Sequence, residues 1–435
     1  MTEDINQQPS PENGDAITND PAPTSPTAPK EPRPGALEAL KNTIFARYVS
    51  TMSLSLMGMW IRITAMGYLV YDLTEDPFLL GLIGVIQGLP QLIFAPIAGA
   101  YLDRIDRRKV LMVVQATILV NMMFLTWLVM TDRVNFAWLA LISVIVGICA
   151  SFDWPARLSI MPSLVTRREL PSAVALNAAA FNAARVVGPA LAGWIIAIMG
   201  MAASFALSGA STIPFLLVLA TLASAIPTRP PQKNTLEKPF ASMIAGYKYI
   251  WHHRDIRTLM MNDLFPIILG MSYMAMTPAI ARDVLGLGPE GLGYLMTAAG
   301  VGSLAGTLSV TRLNNLPNRG RIVLWGMAFF AVLIMVYGLS SVFWLSLVAI
   351  AFVGLGYGIA ATMNDTLIQL NVDEEYRGRV MAAYSTIWGM SPAGGLLAGA
   401  MANVVGLQWA VALNGLIVLL YVIYLWIWSP MKHMD

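Results

Sequence analysis

The stretch "AGAYLDRIDRRKVLM" (Ala98–Met112) places six charged residues within seven consecutive positions, Asp103 to Lys109. Long apolar runs lie on both sides of this stretch. Asp, Glu, Lys and Arg together make up only 12% of the 435 residues, whereas about 25% is usual in a soluble domain. So much charge concentrated in so apolar a chain indicates a short loop between two segments that are buried in lipid.

The composition of the whole chain supports this interpretation. Hydrophobic residues make up 57% of it, and the mean hydropathy is +0.63. A lipid-covered chain needs apolar runs of about 20 residues, and "WLALISVIVGICASFDW" and "LNGLIVLLYVIYLWIW" are two of many. Because lipid offers no hydrogen bonds, each run must satisfy its own backbone as a helix. We therefore predict an all-α membrane protein.

Apolar runs bounded by charge or by Gly and Pro predict twelve transmembrane helices. They lie at 46–70, 78–101, 110–130, 136–158, 172–199, 204–226, 258–281, 290–312, 322–339, 343–369, 380–404 and 408–429. Most loop Lys and Arg residues follow the even-numbered spans. Because positively charged loops stay in the cytoplasm, we expect both termini on the cytoplasmic side of the cytoplasmic (inner) membrane.

The longest internal loop, 227–257, follows the sixth span and divides the chain into two six-helix bundles, 37–226 and 258–429. Its stretch "SMIAGYKYIWHHRDIRTL" fits a helix on the membrane surface or a solvated linker helix. Residues 1–36 are rich in Pro, Thr, Asn, Asp and Glu and lack the apolar core of a signal peptide. We predict a disordered cytoplasmic tail there and a short second tail at 430–435.

Two bundles of six helices with "GAYLDRIDRR" after the second span resemble the major facilitator superfamily of secondary transporters. The residues that match the loop signature of this superfamily are Gly99, Asp103, Arg104, Arg107 and Arg108. Asp106 stands where the family usually has Gly. The resemblance implies that Asp103 pairs across the two bundles when the cytoplasmic side closes. The alternative is that the positive charges of this loop only orient the protein.

The stretch "ARVVGPALAG" in the fifth span resembles the exporter signature of the same superfamily. The residues that carry this match are Arg185, Gly188, Pro189 and Gly193. Together with "MGYLVYDLT" and "FDWPARLSIMPSLV", they resemble the branch of enterobactin exporters and drug:proton antiporters. The resemblance implies a proton-coupled exporter of a siderophore or drug-like compound, with Gly188-Pro189 as a hinge and seal. Simple close packing of helices is the alternative role for this dipeptide.

Ionisable residues inside the spans are costly in lipid, which makes each one a functional candidate. The candidates are Arg62, Asp153, Arg157, Arg185, Asp263 and Asp365. An acid whose environment changes during transport could carry a proton, and structural pairing with Arg is the competing explanation. Arg62 and Arg185 keep their charge and could bind an anionic cargo group, hold a carboxylate or tune its pKa. Two buried cations suit an anionic cargo better than a cationic one. We expect Pro155, between Asp153 and Arg157, to disturb the fourth helix.

Aromatic residues within the spans are candidates for lining a cargo cavity, although anchoring at the membrane interface is the commoner role. They are Trp60, Tyr68, Tyr357 and Trp388. There is no Gly-rich motif ending in Gly-Lys-Ser or Gly-Lys-Thr, and the three His residues lie outside the spans. We therefore expect neither an ATP-driven pump nor an enzyme, and no cofactor or metal.

The expected partners are a small-molecule cargo, protons and the lipid bilayer. Nucleic acid is not expected, because the chain has no basic stripe. We expect a monomer. An importer on the same fold is the nearest alternative function, and a non-transporting receptor is a further one.

Overall fold

The computed structural model describes residues 35, 37–102, 106–222, 239–314 and 316–434. All secondary structure in these residues is helical, which confirms the predicted all-α membrane class. The described residues form sixteen α-helices: α1 Thr43–Thr74, α2 Pro77–Leu102, α3 Arg107–Met130, α4 Phe136–Ile160, α5 Leu170–Met199, α6 Met201–Ala210, α7 Thr212–Thr221, α8 Pro239–His252, α9 Arg254–Phe265, α10 Ser272–Ala279, α11 Pro289–Leu313, α12 Arg319–Leu339, α13 Phe343–Asn371, α14 Arg377–Gly389, α15 Ser391–Val405 and α16 Leu407–Trp428. The predicted tail, apart from Gly35, lies outside the described residues.

Ten stretches of the described helices are long and apolar enough to cross a membrane. Two of them each contain two α-helices. Met201–Thr221 combines α6 and α7, and Arg254–Val284 runs from α9 through α10 with two π-helical segments, Pro266–Gly270 and Ile280–Val284. The predicted eighth and eleventh spans correspond to α11 and to the pair α14–α15, which are not among the ten. The count of twelve therefore stays a prediction.

Helix α11 is less apolar because its face toward α13 is built from small residues. A methyl group on Gly302 would lie 1.7 Å from the carbonyl oxygen of Ala351, and one on Gly354 would lie 2.1 Å from that of Ala299. The two backbones thus touch along their length. Inside lipid, helices associate mainly through such close packing of small residues.

Helices of the first half (α1–α7) meet helices of the second half (α9–α16) along several lines. Among these, helix α5 packs on α11, α2 packs on α15, and α1 packs on α10. The buried apolar core continues through both halves. A second buried cluster lies within the first half, around Phe45, Tyr48 and Phe215. The predicted division at 227–257 stays a prediction.

The helix of the central segment, α8, docks on the second half. A methyl group on Gly246 would lie 2.6 Å from the carbonyl oxygen of Arg379 in α14. The Tyr249 ring stacks on Tyr376 with the centroids 4.4 Å apart, and its hydroxyl donates to Oδ2 of Asp373 at 2.8 Å. One face of α8 is therefore bound to protein, a contact that the sequence did not reveal.

Two prolines disturb their helices less than the sequence suggested. Pro155 lies inside α4 and Pro189 inside α5, and both helices continue on either side of the ring. The expectation that Pro155 disturbs the fourth helix is wrong, because Asp153 and Arg157 keep the i, i+4 contact of a regular helix.

Candidate transport site

A buried group of polar side chains joins three helices of the first half. Nε of Arg157 donates to Oδ2 of Asp153 at 2.8 Å, and both residues lie on α4. Nε2 of Gln115 on α3 donates to the other oxygen of Asp153 at 2.6 Å. Arg157 also donates to Oγ of Ser55 on α1 at 3.0 Å. In this group, the first-half cluster, a cation and a neutral donor balance the Asp153 carboxylate.

Arg62 on α1 lies next to the first-half cluster but does not bond to it. Its side chain is only 8% exposed and lines a cavity of about 40 Å³ together with Asp153, Arg157 and Gln115. Such a volume accommodates water between polar groups. Among the described residues, no hydrogen bond or ion pair reaches the Arg62 guanidinium. Its guanidinium therefore shares this cavity with the Asp153 carboxylate.

Arg185 on α5 is the second cation of this kind. It is half-buried, and its guanidinium carbon lies 6.0 Å from the centroid of the Trp60 ring, within the range of a cation–π contact. The Trp60 ring is buried, with an edge-to-face contact to Phe181. Within the described part of the chain, Arg185 has no carboxylate partner. Trp60 thus packs against α5 and lies beside the Arg185 guanidinium.

A second acidic group joins three helices of the second half. The hydroxyl of Tyr384 on α14 lies 2.5 Å from Oδ2 of Asp263 on α9 and also hydrogen bonds Oδ1 of Asp365 on α13. Asp263 is 1% exposed, and Asp365 is half-buried. No Lys, Arg or His in the described ranges pairs with either acid. We call these three residues the carboxyl–tyrosine triad.

The sequence identified both acids of the triad but not Tyr384. An acid in an apolar helix stands out, whereas a tyrosine in "MAAYSTIWG" does not. The hydroxyl matters here because folding places it between two carboxyl groups that are 102 positions apart in the chain. No spacing pattern in the sequence could have indicated this.

Polar contacts join the two halves at the end of the bundle where α1 stops. We call them the closing contacts, and they are the bonds Tyr71–Asp283, Arg282–Glu75 and Asn403–Asp76. Arg282 lies 2.7 Å from Glu75, and both side chains are substantially exposed. From the loop charges, we expect this end to face away from the cytoplasm.

The exporter-like stretch of α5 lies close to the same end. A methyl group on Gly193 would lie 2.6 Å from the carbonyl oxygen of Pro289 in α11, and one on Gly293 would lie 2.8 Å from that of Pro189. Gly188 instead faces Trp60 on α1. The contacts are those of close packing between the halves, and a role as a hinge stays a prediction.

The charged loop is described only in part. Asp103 and Arg104 lie outside the described residues, and nothing is described of the surroundings of Gly99. Arg107 donates to the carbonyl oxygen of Ser159 at 3.3 Å, which ties α3 to α4. The backbone N–H of Arg108 donates to the Asp106 cap of α3. Pairing across the bundles stays a prediction.

The remaining aromatic candidates occupy different environments. Tyr68 on α1 is half-buried. Tyr357 on α13 is buried, with its ring centroid 5.3 Å from that of Phe330. The side chain of Trp388 lies outside the described part. Tyr357 is thus placed mainly for packing within the second half.

Comparison with known proteins gives concordant results. The family described as "Transmembrane secretion effector" matches residues 34–435. The enterobactin exporter EntS of Shigella boydii serotype 4 (strain Sb227) is 24% identical over 343 residues, which cover 79% of this chain and 80% of that protein. The multidrug efflux pump Tap of Mycolicibacterium fortuitum is 26% identical over 359 residues, which cover 81% and 87%.

A solved structure shares the fold. The crystal structure of a bacterial homologue of the human lysosomal transporter Spinster, in an inward-facing and unoccupied conformation, superposes with a TM-score of 0.68. The match covers 90% of this chain and 96% of the other at 13% identity. At this identity, the likeness extends to the fold alone.

Proposed function

Because the chain belongs to the transmembrane secretion effector family of the major facilitator superfamily, we propose that it exports a small molecule in exchange for protons. Members of this family and the two relatives are transporters rather than enzymes. Both relatives carry export in their names, which supports the outward direction over import. The proposed route is alternating access across the cytoplasmic membrane, with both termini inside.

The observation that carries this proposal is the set of closing contacts. They join the halves at one end, Tyr71 being the buried member, and an exposed ion pair such as Arg282–Glu75 contributes only about 0.2–1 kcal/mol. Contacts this weak can break and re-form as two bundles rock about a central site. With the predicted orientation, these contacts hold the outer end of the two halves together.

We further propose that the cargo is anionic. Arg62 is buried and Arg185 half-buried, and no carboxylate of the described residues forms an ion pair with either, although Asp153 lines the same cavity as Arg62. A cation in this position is stabilised when an anionic group arrives. A catecholate siderophore fits this chemistry better than a cationic drug, and the likeness to an enterobactin exporter supports the same choice.

Transport into inside-out vesicles tests the proposal, with enterobactin as the anionic probe and ethidium as the cationic one. We expect enterobactin to accumulate when the vesicle lumen is acidified. Arg62→Gln and Arg185→Gln should each lower the rate by about tenfold or more, the equivalent of one lost charge-assisted contact. Arg254→Gln, at an exposed position, is the matched control and should transport normally.

Two results would count against the proposal. Normal enterobactin transport by both variants would rule out the anionic-cargo assignment. Movement of the probe only out of inside-out vesicles would show that the chain is an importer.

A further inference from the structure

We infer that the carboxyl–tyrosine triad is the proton-binding site of the transport cycle and that it holds one proton on its carboxyl groups in this conformation. The inference rests on the proposed proton exchange and assigns it to Asp263, Asp365 and Tyr384. Tyr384 is a new member of the site. The ligand is a proton, and the alternative of a sodium ion is separated by the experiment below.

The proton count follows from the hydrogen bonds. The Tyr384 hydroxyl contacts one oxygen of Asp263 and one of Asp365. A hydroxyl has a single proton to donate, whereas its oxygen can accept two hydrogen bonds. It can therefore donate to one carboxylate, and the other contact is a hydrogen bond only if that carboxyl group carries a proton.

The surroundings of the triad favour this extra proton. Asp263 is almost fully buried, and its Oδ1 has no hydrogen-bond partner among the described residues. Two bare carboxylates this close would repel each other in a poorly hydrated site. With one shared proton, the pair keeps a single negative charge and behaves as one titrating unit.

The other titratable groups nearby do not replace that proton. Tyr357 is buried on α13, the helix of Asp365, and Arg185 lies on α5 beside Trp60. Tyr249 on α8 bonds to Asp373 instead. On α9, α13 and α14, the described residues supply no cation that bonds to either acid. We therefore infer that a proton neutralises one of the two carboxyl groups.

The helix that carries Tyr384 is also in contact with the first half. A methyl group on Gly389, at the end of α14, would lie 2.3 Å from the side chain of Leu92 on α2. Helix α14 ends there, and α15 begins at Ser391. A change in the contact between the halves therefore acts on α14 directly and can move the hydroxyl relative to the two acids. Withdrawal of the hydroxyl and entry of water would release the proton.

Infrared spectroscopy of the purified full chain tests the proton count. At neutral pH, the wild type should show the carbonyl band of a protonated, buried carboxyl group. Asp263→Asn and Asp365→Asn should each abolish it, because the remaining carboxylate then accepts the hydrogen bond of the Tyr384 hydroxyl and needs no proton of its own. Tyr384→Phe should shift the band, since one hydrogen bond is lost. Asp255→Asn, at an exposed position of the same helix α9, should leave it unchanged.

A transport assay separates this inference from the proposed function. In vesicles, both Asn variants should lose enterobactin export driven by a pH gradient, while enterobactin exchange without a gradient continues. If the wild type and both variants respond alike to the gradient, the site is wrong and the function stands. If the band is present but the gradient drives nothing, the proposed function is wrong, and of the inference only the proton count stands. Absence of the band, or export driven by sodium alone, overturns the inference.

Discussion

Both halves of the molecule bury acids within the membrane, but they treat them differently. In the first-half cluster, the Asp153 carboxylate faces the Arg157 guanidinium and the Gln115 amide. In the triad, Asp263 and Asp365 face one hydroxyl and each other. An acid with a fixed cation keeps its charge and braces the fold, whereas an acid without one can exchange a proton. From the comparison we expect the first-half cluster to stabilise the fold and, under the proposed proton exchange, the triad to provide the coupling.

Removing the cation from the first-half cluster should have the largest effect. Arg157→Ala leaves the Asp153 carboxylate without its counter-charge, and breaking a buried ion pair costs about 3–5 kcal/mol. We expect a strong loss in the free energy of unfolding, measured on the purified protein. The double variant Asp153→Leu, Arg157→Met removes both charges and should recover most of it. Unchanged stability in Arg157→Ala would show that the Asp153–Arg157 ion pair does not stabilise the fold.

A matched Asp→Asn change in each half sharpens the contrast. Asp153→Asn leaves a buried arginine without an anion and should lower the free energy of unfolding by about 1–3 kcal/mol. Asp263→Asn replaces a carboxyl group that is protonated or shares a proton with Asp365. Because the new amide can donate to Tyr384, we expect the free energy of unfolding to fall by less than about 1 kcal/mol. Thermal unfolding of both variants at neutral pH measures the difference. Equal losses would mean that the two acids are buried in the same protonation state.

The general architecture could be predicted from the sequence because lipid imposes a simple rule. Long apolar runs must be helices in a membrane, and the charges that interrupt them mark the loops. The rule is weaker where packing replaces lipid contact. Helix α11 uses Gly302 to touch the backbone of α13, and such glycines lower the hydropathy of a segment that is long enough to span.

The site was harder to predict, because its chemistry depends on which side chains folding brings together. The spacing of Asp153 and Arg157 indicated a pair, although Pro155 argued against it. The sequence could not show that Asp153 and Asp263 differ in their environment, since both are acids near the end of an apolar run. The two acids differ in their partners in the fold: Arg157 bonds to Asp153, and Tyr384 bonds to Asp263. The gating role predicted for Asp103 concerns a residue outside the described ranges.

The smallest effect is expected where an arginine pairs at an exposed position. Arg282→Ala removes the bond to Glu75, the longer ion pair with Asp72 and a hydrogen bond to the carbonyl oxygen of Tyr71. Because exposed pairs contribute about 0.2–1 kcal/mol each, the balance between closed and open ends should shift by about 1.4- to 5-fold for each pair lost. Spin labels at Leu73 and Val404, both exposed, would report a larger fraction of separated ends. High salt should shift the wild type in the same direction by screening the pair, while Arg254→Ala should not. A distance distribution that neither Arg282→Ala nor salt changes would mean that packing of α5 on α11 closes this end, and that the ion pair adds nothing to it.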